Sequence, residues 1–98
     1  MNMQALLKQA QSMQKDMLKA KEEIDNTIFT GENALVQVEI KGNKEIKSIK
    51  INTKEAIQED EIEMLEDMIV VAVNSALKKI DDMTEEKMGK FSNIPGLF

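Results

Sequence analysis

A chain of 98 residues without a Pro-rich or Gly-rich interior stretch has room for one domain, read here as spanning residues 1–98. Its small size leaves little stability margin and favours extra burial by self-association. It contains no Cys, His, Trp, Tyr or Arg, which removes disulfides, thiolate metal sites, the commonest general base and the bidentate phosphate fork.

The net charge of −5 argues, as an average, against a polyanionic partner. The charge is segregated, however. Lys8, Lys15, Lys19 and Lys21 face Asp16 alone in residues 1–21, and Lys41, Lys44, Lys47, Lys50 and Lys54 face Glu45 alone in residues 41–54. Residues 55–67 hold Glu55, Glu59, Asp60, Glu61, Glu63, Glu66 and Asp67 and no lysine. Part of that acid suits a helix start, where carboxylates offset the dipole. Residues 1–11 lack the continuous apolar core of a signal peptide, and the longest apolar run, residues 68–73, is far short of the ~20 residues a membrane span needs. The expectation is a cytoplasmic protein.

Residues 1–25 are predicted to form the first helix. Met3, Leu6, Ala10, Met13, Met17, Ala20 and Ile24 recur at steps of three and four, giving a narrow seam that needs a partner, expected to be the second long helix. Lys8, Lys15 and Lys19 lie opposite this seam on one exposed face. Over residues 27–52 the period becomes two: Ala34, Val36, Val38 and Ile40 alternate with Leu35, Gln37, Glu39 and Lys41. Gly42-Asn43 is read as a two-residue type II′ hairpin turn leading into Ile46, Ile49 and Ile51, with a bulge near Lys47 and Ser48. A shorter strand over Thr27 to Thr30, closed by Gly31-Glu32-Asn33, precedes them.

Residues 58–90 return to a helical period, with Ile62, Leu65, Ile69, Ala72, Val73, Ala76, Ile80 and Met83 on the main face. Met68, Ile69, Val70, Val71 and Val73, around Ala72, are apolar on all sides of the helix, so a second subunit is expected to cover them. Gly89 is expected to end the helix, leaving residues 91–98 as a tail. The fold class is α+β: a three-stranded antiparallel meander flanked by two long helices, α-β-β-β-α.

Chemistry finds little to work with. Ser75 and Lys79, one helical turn apart, are the nearest nucleophile and base, at a spacing found on many helix surfaces. The acidic run lacks the glycine of a calcium loop, and its side chains radiate around a helix. Neither a metal nor another cofactor is expected, and no enzymatic activity or small-molecule substrate.

Six segments together resemble the YbaB/EbfC nucleoid-associated family over essentially the whole chain. They are Lys8-Gln9-Ala10-Gln11-Ser12-Met13-Gln14, Thr30-Gly31, Glu63-Met64-Leu65-Glu66-Asp67, Asn74-Ser75-Ala76-Leu77-Lys78-Lys79-Ile80, Met88-Gly89 with Phe91, and Pro95-Gly96-Leu97-Phe98. The resemblance implies a tweezers-like homodimer in the nucleoid whose helix ends grip double-stranded DNA. By position it implies arm lysines Lys8, Lys15, Lys19, Lys79, Lys87 and Lys90. Lacking arginine, such a grip reads backbone rather than base edges. The other reading is a dimeric interaction module for DNA repair or replication proteins, which the net negative charge and the acids Asp81, Asp82, Glu85 and Glu86 among the second set of lysines favour.

Overall fold

The computed structural model describes residues 2–91; the closing Pro95-Gly96-Leu97-Phe98 segment, with Ser92 and Asn93, lies outside the described residues. Helix α1 (Met3–Asn26) is followed by strands β1 (Ile28–Glu32), β2 (Val36–Lys41) and β3 (Ile46–Ile51). A 3-10 turn (Glu59–Glu61) then leads into helix α2 (Ile62–Met88), which ends in a second 3-10 turn (Gly89–Phe91). The expected α-β-β-β-α order holds, with an antiparallel sheet in the order β1-β2-β3.

Local chemistry sets the element ends. The Asn2 side chain accepts hydrogen bonds from the Gln4 and Ala5 backbone N–H groups at 3.0 and 3.4 Å, satisfying donors that an α-helix leaves open. At the other end of α1 the Thr27 hydroxyl donates to the Glu23 carbonyl at 2.6 Å as the chain turns extended. Glu61 accepts the Gln58 N–H at 3.1 Å ahead of α2. The α-helix ends at Gly89 as expected: this C-cap residue keeps right-handed helical angles, and the chain tightens into a 3-10 turn that buries Phe91.

Period-two alternation carries the sheet. Val36, Val38 and Ile40 are fully buried beneath α2, where Ala72, Ala76 and Ile80 face them, with Phe29 from β1 completing the core. Full burial of a Val or Ile side chain contributes about 1.5–3 kcal/mol. The first strand runs further than expected, because Gly31 pairs with Val38 and tucks under α2. A Cβ at Gly31 would stand 1.9 Å from the Ala72 carbonyl oxygen, so helix and strand approach at a distance only glycine permits. Ala34 falls in the bend before β2 and is exposed, while Leu35 packs at the edge of the core. Asn33 ties that bend to the helix, donating to the Met68 carbonyl at 2.8 Å and accepting from Val36 N–H at 3.1 Å.

The hairpin departs from the two-residue turn. The Lys44 N–H donates to the Lys41 carbonyl, the Lys41 N–H to the Glu45 carbonyl, and the positive φ of 72° falls on Lys44. This is a three-residue loop closed by a left-handed residue. Gly42 serves another purpose: a Cβ there would meet the Ile24 carbonyl oxygen at 1.8 Å, so the hairpin abuts the end of α1. The bulge lies where the irregular isoleucine spacing placed it. Glu39 pairs with Ser48 and Ile40 with Ile46, leaving Lys47 as the extra residue.

The seam of α1 is covered over only half its length. Glu23 meets Lys87, Ile24 and Met17 share a cavity with Ile80 and Met88, and Asp16 shares a cleft with Lys90. These pairings run in opposite directions along the two helices, so α1 is antiparallel to α2 and its first half projects past the end of α2. Residues 3–12 are exposed throughout, with Met3 70% accessible. The described residues span 71 × 19 × 15 Å.

Candidate nucleic-acid interface

The six lysines singled out from sequence fall into three settings. Lys8 and Lys15 stand exposed on the projecting half of α1, without a carboxylate among residues 3–15. Their spacing of seven residues sets them on one face, roughly 10 Å apart along the axis. Among the described residues nothing covers residues 3–12, because α2 ends opposite Asp16.

Lys19, Lys87 and Lys90 come together across the two helices. With Asp16, Ala20, Glu23 and Glu86 they line a cleft of about 390 Å³. Three ammonium groups there face three carboxylates. The Lys87 ammonium is paired to Glu23 at 3.3 Å, and the Lys90 ammonium sits 5.1 Å from the Phe91 ring centroid. The cleft is close to charge-balanced, so its lysines present less positive potential to an anion than those of the arm.

Lys79 is set apart. Its ammonium donates to the Thr30 carbonyl of β1 at 2.6 Å, fastening α2 to the first strand. The same bond engages the amine that sequence spacing sets one helical turn from Ser75. Among the described residues, no three His, Cys, Asp or Glu side chains are placed to hold a metal ion. No helix of the described residues is long and apolar enough to cross a membrane.

Lys44, Lys47, Lys50 and Lys54 form a further exposed basic set on the hairpin, β3 and the segment after it. The signal for them was the lysine excess over residues 41–54.

The apolar stretch in the middle of α2 divides by environment. Met68, Ile69 and Val73 pack partly against the core, whereas Val70 and Val71 are 57% and 60% accessible on the outer face. A second uncovered strip lies on β3. Ile46, Ile49 and Ile51 pair with Ile40, Val38 and Val36 and so share their face of the sheet. Helix α2 packs on β1 and β2 within the sheet, and the three isoleucines are exposed on the edge strand β3. Sequence periodicity put them on a buried face and could not show that the helix stops short of them.

Residues 1–94 match the YbaB/EbfC DNA-binding family. A nucleoid-associated protein of Ligilactobacillus salivarius is 46% identical, the alignment covering 99% of this chain and 95% of the relative. A nucleoid-associated protein of Lactococcus lactis subsp. cremoris is 48% identical over 94% of each chain. One from Enterococcus faecalis is 39% identical over 97% of this chain and 93% of the relative.

Proposed function

Given that the chain belongs to the YbaB/EbfC DNA-binding family, we propose that it is a nucleoid-associated protein of the bacterial cytoplasm that holds duplex DNA through lysine-phosphate contacts. It acts as a single-domain homodimer, without a cofactor and without catalysis. The observation that carries this reading is the projecting half of α1, exposed throughout residues 3–12 and bearing Lys8 and Lys15 with no carboxylate among residues 3–15. Lys19 and Lys90 extend the basic track toward the cleft, Lys87 contributes when released from Glu23, and Lys79 contributes least because it is held by Thr30.

Two arms per dimer give a clamp, and the apolar surfaces supply the hinge side. Val70 and Val71 of α2, flanked by Met68, Ile69 and Val73, form the dimer contact together with Ile46, Ile49 and Ile51. Burying both strips covers exposed apolar side chains of the body and closes the open edge of β3. Ammonium groups act as point charges on phosphates, so sequence discrimination is weak.

The charge-balanced cleft favours one other reading, a dimeric adaptor for DNA repair or replication proteins that touches DNA incidentally. A gel-shift salt series with purified protein and two duplexes of unrelated sequence separates them. The DNA reading expects similar shifts with both duplexes, fading as salt rises; an adaptor gives no shift even at low salt.

A further inference from the structure

The two ends of the protomer are opposite in charge, and both leave apolar side chains uncovered. Because α1 and α2 are antiparallel, the tip of the arm and the start of α2 lie at opposite ends of the 71 Å axis. The arm carries Lys8 and Lys15 and no acid, and exposes Met3, Leu6 and Leu7. Its first helical turn has no carboxylate, so the positive pole of the helix dipole is offset only by the neutral Asn2 cap. The opposite end carries seven carboxylates over residues 55–67 without a lysine, and exposes Ile62 and Met64. Between them a small cavity of about 100 Å³ opens among Leu35, Ile57, Met64 and Leu65, beside Glu55 and Glu61.

We propose that the basic arm of one copy docks on the acidic start of α2 in another copy, linking molecules end to end. A second copy is the fitting occupant because the two complementary surfaces occur on one chain and stand too far apart to meet within it. The contact is heterologous: each copy that docks an arm still offers its own acidic end, so unless the rotation between copies closes a ring the array stays open and grows with concentration. Exposed charges hold it together, so it dissolves as salt shortens the Debye length from about 30 Å at 0.01 M to about 3 Å at 1 M. The inference does not rest on DNA binding. If that reading also holds, Lys8 and Lys15 serve both contacts and duplex DNA competes with self-assembly.

Sedimentation velocity of the DNA-free protein tests it. At about 0.01 M salt the weight-average mass of the wild type should rise beyond two protomers with concentration, and at about 1 M salt the rise should vanish. K8E with K15E should abolish the rise, and E59K with E63K, which leaves five carboxylates and two lysines over residues 55–67, should weaken it. The arm substitutions sit on a helix surface that is exposed among the described residues, so with the wild-type salt series they decide the matter even if the helix-start pair fails to fold. A rise that persists in the arm variant, a wild type with no salt-labile species, or a salt-labile species that stops at two protomers would each overturn the proposal.

Discussion

Replacing Glu23 by Gln should strengthen DNA binding. In the protomer the Glu23 carboxylate holds the Lys87 ammonium at 3.3 Å, on a pair whose side chains are 52% and 36% exposed. Such a surface pair contributes at most about 1 kcal/mol, so losing it leaves the fold standing. It frees one lysine per protomer, two per dimer. Each added phosphate contact releases roughly 0.9 counterion, so the log-log salt slope should steepen by about 1.8. At about 0.1 M salt each contact is worth at most about eightfold, which sets an upper bound near 60-fold for the dimer. Lys15→Ala should act oppositely, making the slope shallower by about 1.8 on every duplex sequence. Fluorescence anisotropy of a labelled duplex, titrated across about 0.05–0.2 M salt, reads both. If Glu23→Gln leaves slope and affinity unchanged while Lys15→Ala does the same, the lysine-phosphate account of these helices is wrong.

Val71→Glu puts a charge on the outer face of α2 that the proposed dimer buries. It should weaken dimerisation by about 3 kcal/mol or more, over a hundredfold, and give a folded protomer in sedimentation equilibrium; wild type that sediments as a stable monomer at micromolar concentration refutes the interface. Gly31→Ala drives a methyl group into the Ala72 carbonyl and should cost about 1–3 kcal/mol, lowering the melting temperature by several degrees or more. An unchanged melt would mean that α2 does not press on β1. Lys44→Gly removes a left-handed non-glycine residue and should raise stability by about 1 kcal/mol in a urea titration, with a lower midpoint as the contrary result.

The order of elements was legible because each period in the sequence had one structural answer. Val36, Val38 and Ile40 could alternate only as a half-buried strand, and the step from Ile46 to Ile49 located the bulge at Lys47. Coverage was less legible. The seam of α1 reads the same from Met3 to Ile24, yet what buries its second half is an α2 that ends opposite Asp16, and sequence spacing does not say where two helices part company. The isoleucines of β3 escaped for a similar reason: alternation gives the face, while the width of the covering helix decides whether that face is buried. At the candidate site, helical geometry grouped Lys8 with Lys15. The Thr30 carbonyl that holds Lys79 and the Glu23 that pairs Lys87 are distant in sequence, 49 and 64 residues away.

The contact of Gly42 with the Ile24 carbonyl makes the basic helix a cantilever. Its root is clamped by the hairpin on one side and α2 on the other, and the unsupported length from Asp16 to Met3 is roughly 20 Å at 1.5 Å per residue. A rotation of about 10° at the clamp therefore swings the tip by some 3–4 Å, about a third of the ~12 Å width of a major groove. The span such a clamp can grasp is governed at the root, where one added methyl group on Gly42 would re-aim the tip without touching any lysine.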